Sequence, residues 1–120
     1  MTQTPVFHIT SRAAWEAAQA AGVYRADSLD TEGFIHCSAA DQVVRVANAF
    51  FRGQAGLVLL VIDPARLRAQ LRYEPPADPT GAFDAGGERF PHLYGPLNLD
   101  AVARALDFSP GPDGTFVLPG

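Results

Sequence analysis

The sequence predicts one α+β domain over residues 1–120, with mixed, mainly antiparallel sheets and flanking helices. The first observation behind this is composition, since 120 residues with 48% apolar and 18% charged residues suit one globular core. The second is an apolar run over residues 57–62, which is too short to span a membrane and predicts a buried strand. The third is an order of strand and helix patterns that does not repeat strictly, which favours α+β over a doubly wound sheet.

The N-terminal part predicts a strand, a helix and a loop. Residues 6–10 carry the strand pattern. Ser11 can cap the helix that follows, and Gly22 can end it in a left-handed conformation. A loop through Asp27 and Asp30 then leads to the next strand.

A second strand over residues 33–38 runs into the clearest helix of the sequence, residues 39–51. Ser38 and Asp41 are spaced like a capping box at its start. Apolar residues with the spacing of one helix face predict its buried side, namely Val43, Val46, Ala47 and Phe50.

The middle of the chain predicts a covered central strand over residues 57–63, followed by a short helix over residues 65–71 begun by Pro64. A brief strand is expected over residues 72–74. Residues 77–87 are rich in Pro, Asp and Gly and predict a long loop.

The C-terminal part predicts two more strands and one more helix. A strand over residues 89–93 contains Pro91, which is typical of an edge strand or a strand terminus. Residues 99–106 have helical apolar spacing, and residues 114–118 predict a closing strand.

Charge and cysteine content exclude several classes of protein. The net charge is −4, and all nine basic residues are arginines, so lysine-based phosphate loops and Schiff bases are excluded. The acidic balance argues against a dedicated nucleic-acid binder, since such proteins usually carry a basic stripe. Cys37 is the single cysteine, and the N-terminus lacks the pattern of a secretory signal, so we expect a cytoplasmic protein.

Each of the three histidines is followed two positions later by a hydroxyl-bearing residue. The pairs are His8 with Thr10, His36 with Ser38, and His92 with Tyr94. Strand periodicity puts both members of a pair on one face, and neighbouring strands would bring the pairs into one polar pocket. Imidazole and hydroxyl groups suit hydrogen bonding to sugar hydroxyls, phosphates or carboxamides. Purely structural histidines and a metal site of three histidines are the alternatives.

Two motifs resemble those of a bacterial family, domain of unknown function 952. They are Gly33-Phe34-Ile35-His36-Cys37-Ser38 and Phe90-Pro91-His92-Leu93-Tyr94-Gly95. The resemblance begins at Phe7-His8-Ile9-Thr10 and continues to Asp113-Gly114-Thr115-Phe116, nearly the whole chain. It implies an ADP-ribosyltransferase-like fold, in which small sheets surround a dinucleotide cleft.

The resemblance also implies roles for particular residues. His8 and Thr10 would hold the adenosine-side ribose of NAD or another nucleotide, and Phe34, His36 and Ser38 would flank the nicotinamide. Within the same pocket, His36, His92 and Tyr94 are the candidate catalytic residues. Arg89 is the candidate phosphate-binding residue, with Arg25 and Arg72 as alternatives.

This sequence departs from the ADP-ribosyltransferase pattern at the position of the catalytic glutamate. The corresponding segment, residues 90–94, contains no carboxylate, so we expect none on the face of the site. Glu88 lies just outside this segment, and Glu74 precedes two prolines. We therefore expect NAD cleavage and ADP-ribosyl transfer to be slow or absent, with any chemistry depending on imidazole. An RNA phosphotransferase of the same superfamily, which uses His and Arg, keeps chemistry on RNA ends open. The alternatives are a non-enzymatic module that binds a small metabolite and a three-histidine metal-dependent hydrolase.

Overall fold

The computed structural model describes residues 4–76 and 87–119, and it shows an α+β fold made of small antiparallel sheets. The helices and strands in chain order are β1 (Val6–Ser11), α1 (Arg12–Ala21), β2 (Val23–Tyr24), α2 (Asp27–Thr31), β3 (Ile35–His36), α3 (Ala40–Phe50), β4 (Leu57–Ile62), β5 (Gln70–Glu74), β6 (Phe90–Tyr94), β7 (Leu97–Asn98) and β8 (Val102–Phe108). Short 3₁₀ turns occupy Pro64–Arg66 and Leu99–Ala101. The described strands form sheets in the orders β1-β4-β8, β2-β7 and β3-β6-β5. The predicted α+β class is confirmed.

Strand β4 is the centre of the largest sheet and is covered on both faces, as predicted. Val58 and Leu60 on one face belong to an apolar core shared with α1 and with the sheet β3-β6-β5. Leu57 and Leu59 on the other face belong to a second core shared with α3. Each of these four side chains is at most 2% exposed, and full burial of such a side chain contributes roughly 1.5–3 kcal/mol.

Helix α1 begins and ends where its capping residues predict. The hydroxyl oxygen of Ser11 accepts a hydrogen bond from the backbone N–H of Ala14 at 3.0 Å. Gly22 adopts φ = 85°, and its N–H donates to the carbonyl of Ala18 at 2.8 Å. Helix α1 therefore follows β1 directly and turns the chain back over the sheet.

The buried face of α3 is rotated from the predicted one. Val43 and Ala47 are fully buried as expected, but Phe50 is 48% exposed. Ala40, Val44 and Phe51 pack against the core in its place, together with the two buried residues. Both sets fit helical spacing, so only the docking of α3 on the sheet decides between them.

The predicted capping box of α3 is also wrong. Ser38 lies outside the helix and pairs through its backbone with Phe7 in β1. The N-cap of the helix is Ala39, whose N–H donates to Oε1 of Gln42 at 2.9 Å. The strand Gly33–Ser38 is accordingly shorter than predicted, since regular pairing covers β3 alone.

Two predictions between β1 and β6 need correction, and a third falls almost entirely outside the described residues. A short helix, α2, replaces the loop through Asp27 and Asp30. The predicted helix over residues 65–71 shrinks to the 3₁₀ turn at Pro64–Arg66, because strand β5 already begins at Gln70 and pairs with β6. The predicted loop 77–87 lies outside the described residues except for Gly87.

The C-terminal helix over residues 99–106 is wrong, because this segment forms β8 and pairs along the whole of β4. Leu106 and Phe108 face the second core from this strand. The closing strand over residues 114–118 is not found among the described residues. Phe116 is nevertheless 2% exposed, and its N–H donates to Oδ1 of Asn48 at 2.7 Å.

Strand β6 lies between β3 and β5, so the edge position predicted from Pro91 is wrong, but Pro91 is the second residue of β6 and lies next to the start of the strand. The carbonyl of Pro91 accepts a hydrogen bond from the N–H of Cys37 at 3.0 Å. Pro91 has no N–H to return, and regular pairing with β3 stops one residue earlier, at His36. The sheet thus tolerates the proline at the point where its short neighbour ends.

None of the helices in the described part of the chain is long and apolar enough to cross a membrane.

Candidate functional site

The outer face of the sheet β3-β6-β5 carries a row of polar side chains across three strands. The register pairs His36 with His92, and His92 with Arg72. Paired residues of antiparallel strands project from the same face, so these three side chains share one side of the sheet. Strand alternation adds Glu74 and Tyr94 to that side. We call this surface the histidine face.

The carboxylate of Glu74 joins two of the predicted site residues. Its Oε1 accepts a hydrogen bond from Nδ1 of His92 at 2.9 Å and another from the hydroxyl of Tyr94 at 2.7 Å. His92 and Tyr94 therefore lie on one face, as their spacing predicts. These two hydrogen bonds hold the pKa of Glu74 below its ordinary value, the bond from Tyr94 first. The same bond raises the pKa of Tyr94.

Phe34 packs the rings of the histidine face together. Its ring stacks on His92 with centroids 4.1 Å apart, and it meets the edge of His36 at 4.9 Å. Tyr94 lies 5.3 Å from it. The structure therefore brings together four of the residues predicted for the site. The two histidines differ in exposure: His92 is 3% exposed, whereas 42% of the His36 side chain is exposed.

His36 has its own carboxylate partner. Nε2 of its ring lies 3.0 Å from Oε2 of Glu32, which is at the end of α2. A carboxylate accepts hydrogen bonds, so Nε2 carries the proton of the neutral ring, and Nδ1 is left as the basic nitrogen. This arrangement can take a proton from a bound ligand or return one.

His8 and Thr10 form a separate, buried group with Tyr24. Nε2 of His8 lies 2.8 Å from the hydroxyl of Tyr24, which lies 3.0 Å from Oγ1 of Thr10. Nδ1 of His8 donates to the backbone carbonyl of His36 at 2.5 Å. Burial lowers the pKa of His8 to about 4 and raises the pKa of Tyr24. His8 thus lies behind the strand that carries His36, and both of its ring nitrogens are bonded within the protein.

The three arginines proposed for phosphate binding differ in their surroundings. The guanidinium of Arg72 lies 4.9 Å from the centre of the Tyr94 ring, on the histidine face. Arg25 pairs with Asp30 at 3.1 Å. Arg89 is exposed and precedes β6. Arg72 is therefore the arginine whose guanidinium contacts the cluster.

Cys37 and Ser38, the two residues after His36, are both buried. Ser38 is 6% exposed, and its backbone exchanges hydrogen bonds of 2.7 and 2.8 Å with Phe7. Its predicted contact with a ligand stays a prediction. Cys37 is 4% exposed, and burial raises the pKa of its thiol to about 12, so it is not an activated nucleophile.

The metal alternative finds no support in the described part of the chain. Across residues 4–76 and 87–119, no three His, Cys, Asp or Glu side chains are grouped so that they could hold a metal ion. The second nitrogen of His8 is bonded to Tyr24, and Nδ1 of His92 is bonded to Glu74. The histidines are thus arranged for hydrogen bonding to hydroxyl and carboxylate groups.

Two carboxylates and one phenol of the site were not identified from the sequence. The prediction that this face lacks a carboxylate is wrong, because Glu74 reaches it from β5. Glu32 was not identified either, although it precedes His36 by only four positions and its carboxylate contacts the His36 ring. Tyr24 carries no local signal, because it reaches His8 only through the packing of β2 on the sheet.

A comparison with protein families supports the resemblance drawn from the motifs. The family described as "Protein of unknown function (DUF952)" matches residues 9–105. A comparison with curated proteins finds no match.

A comparison with solved structures finds protein CC0527 from Caulobacter crescentus, a structural genomics target. Its crystal structure has a TM-score of 0.82 and 40% sequence identity, covering 96% of this chain and 95% of that one. Its solution NMR structure has a TM-score of 0.76 and 39% identity, covering 94% and 91%. The fold described above is therefore shared with a protein whose structure has been determined by experiment.

Proposed function

This chain belongs to the DUF952 family of proteins of unknown function, and we propose that its histidine face binds a nucleotide or an NAD-like ligand. The observation that carries the proposal is the position of Glu74, whose Oε1 accepts hydrogen bonds from both His92 and Tyr94. These two donors fix an ionised carboxylate on a face that also presents an arginine and a partly exposed imidazole. Such a combination offers acceptors for hydroxyl groups and a cation for phosphate.

Each group of the ligand has a partner on this face. Both hydrogen bonds to Glu74 use Oε1, so Oε2 can accept a ribose hydroxyl. Arg72 can bind a phosphate with its guanidinium, which is exposed beside Tyr94. Arg89 stays a predicted second phosphate contact. Thr10 and Ser38 stay predicted ligand contacts. The direct ligand contact predicted for His8 is left out of the proposal, because both of its ring nitrogens are bonded within the protein.

His36 is the residue that we propose for acid–base chemistry. Its ring is partly exposed, and Glu32 orients it through Nε2, which leaves Nδ1 to exchange a proton with the ligand. His92 and Tyr94 support this chemistry by fixing the carboxylate of Glu74. The argument against NAD cleavage was the lack of a carboxylate, and Glu74 supplies one. The proposal therefore includes both ADP-ribosyl transfer and transfer at phosphorylated RNA ends.

A second candidate is a binding module without catalysis. It is favoured by the burial of His92, which is 3% exposed under the ring of Phe34 and offers little surface to a substrate. Under this candidate the histidine face recognises a small metabolite and releases it unchanged. Turnover separates the two candidates, because only an enzyme converts NAD or RNA ends to product.

The experiment combines binding with product analysis. AMP and NAD are titrated by calorimetry into the wild-type protein and into His36→Ala, Glu74→Gln and Arg72→Gln. Each lost hydrogen bond should weaken binding by roughly 5- to 150-fold. Glu16→Gln, which removes an exposed carboxylate on α1, is the matched control and should bind like the wild type.

Labelled NAD and 5′- or 3′-phosphorylated RNA are then incubated with the same proteins. Product that disappears in His36→Ala supports the enzyme, and binding without product supports the binding module. Absence of binding of either nucleotide at millimolar concentration would overturn the proposal.

The proposal places the protein in the cytoplasm of a bacterium, where a free, buried Cys37 is stable.

A further inference from the structure

We propose that His8 is a positioning residue, which fixes the place of the His36 imidazole by holding the backbone carbonyl of that residue. The expected effect of His8 on ligand binding rests on the proposed function. The hydrogen bond between His8 and His36 does not depend on any ligand. It assigns His8 a role different from the direct ligand contact that the sequence predicts.

The hydrogen bonds of His8 define its tautomer. The carbonyl of His36 can only accept, so Nδ1 of His8, at 2.5 Å, carries a proton and donates. Nε2 of the neutral ring then accepts from the hydroxyl of Tyr24 at 2.8 Å. Thr10 can donate its own proton to the oxygen of Tyr24, 3.0 Å away. Both ends of the ring are therefore held inside the protein.

The strand that carries His36 depends on such support because it is short. Strand β3 has two residues, and its pairing with β6 stops where Pro91 lacks an N–H. On its other side, β1 holds the chain through the backbone pair between Phe7 and Ser38. His8 is the next residue of β1, and its side chain extends this attachment by two residues to the carbonyl of His36.

Burial makes this attachment rigid. His8 is 8% exposed, and Val6 of the same strand face belongs to the core that includes Ile35 and Cys37 on either side of His36. The ring therefore cannot swing away without opening the core. A shift of the carbonyl moves the Cα of His36, and with it the imidazole on the opposite side of β3.

Two substitutions separate positioning from general stability. In His8→Asn the amide nitrogen occupies the place of Nδ1 and can still donate to His36. In His8→Gln the amide lies at the place of Nε2, so it keeps the contact with Tyr24 and loses the bond to His36. The readouts are the ring resonances of His36 in NMR spectra and the affinity for AMP.

The expected result is an asymmetry between the two variants. His8→Gln should shift the ring resonances of His36 and weaken AMP binding by roughly 2- to 13-fold, the range for one neutral hydrogen bond. His8→Asn should restore both toward the wild type. Equal effects of the two variants, or unchanged His36 resonances in folded His8→Gln, would overturn the inference.

A further variant keeps the test decisive if His8→Gln does not fold. Tyr24→Phe removes the hydroxyl that holds Nε2 but leaves the His8–His36 bond, so it should move the His36 resonances less than any variant that loses that bond. A shift in Tyr24→Phe as large as in His8→Ala would overturn the inference. If the wild type does not bind AMP while His8→Gln still shifts His36, the proposed function fails and the positioning role stands.

Discussion

Glu74 and His92 are joined by a hydrogen bond of 2.9 Å between Oε1 and Nδ1 across two neighbouring strands. The register puts Arg72, not Glu74, directly opposite His92, so the carboxylate reaches the ring diagonally. Because a carboxylate accepts, the bond selects the tautomer of neutral His92 with the proton on Nδ1. This pair places a fixed negative charge beside a buried imidazole and defines the histidine face.

The first prediction concerns the support that Tyr94 gives to Glu74. Tyr94→Phe removes the hydroxyl that contributes most to the lowered pKa of Glu74, so that pKa should rise toward its ordinary value. Carboxyl resonances followed by NMR over a pH titration measure this change. Tyr73→Phe is the matched control, since Tyr73 is exposed on the same strand as Glu74 but projects from the other face. A rise in both variants, or in neither, would contradict the assignment.

The second prediction is the tautomeric state of each histidine at neutral pH. Long-range ¹H–¹⁵N spectra should show the proton of the neutral ring on Nδ1 in His8 and His92, and on Nε2 in His36. The reason is that a carbonyl or carboxylate oxygen accepts at each of these nitrogens. In Glu74→Gln the preference of His92 should weaken, while His8 stays unchanged. A proton on Nε2 of His92 in the wild type would contradict the Glu74 contact.

Local signals in the sequence were sufficient for the parts of the fold that depend on neighbouring residues. Ser11 and Gly22 mark the ends of α1 because a cap acts within one helical turn. The apolar run of β4 predicts a strand covered on both faces for the same local reason. Strand β8 was misread, since its Ala, Arg and Leu residues favour a helix in isolation and become a strand only by pairing with β4.

The site was predicted in part for similar reasons. The period of a strand places Tyr94 on the same face as His92, and the structure joins both to one carboxylate. That carboxylate could not be identified, because the contact depends on the register between β5 and β6. His8 was expected beside His36 on the ligand side, but the packing of β1 against β3 places it behind that strand.

The third prediction tests the corrected face of α3. Val43 is fully buried in the core. Val43→Ala should therefore lower the free energy of unfolding by roughly 2 kcal/mol, through lost burial and the cavity left behind. Val46→Ala, the same change at a half-buried position of the helix, should cost less than about 1 kcal/mol. Urea unfolding monitored by circular dichroism measures both. Equal costs would favour the face that the sequence predicted.

The last prediction is a pH dependence of stability that arises from His8. Burial lowers its pKa in the folded protein to about 4, from the ordinary value of 6.5 that applies to the unfolded chain. Between these two values the unfolded state binds a proton that the folded state does not, so the free energy of unfolding falls as the pH is lowered. The stabilisation from neutral His8 is fully present above pH 6.5. As the pH falls to 4, the free energy of unfolding decreases by roughly 3 kcal/mol.

A comparison of variants isolates this contribution from that of the carboxylates. Urea unfolding of the wild type at pH 7.5 and pH 5 should show a loss of roughly 2 kcal/mol that His8→Gln lacks, because glutamine does not titrate. His36→Gln is the control, since that residue is partly exposed and outside the buried group, so the loss should remain. If His8→Gln shows the same pH dependence as the wild type, then His8 is not the buried neutral group that holds the carbonyl of His36.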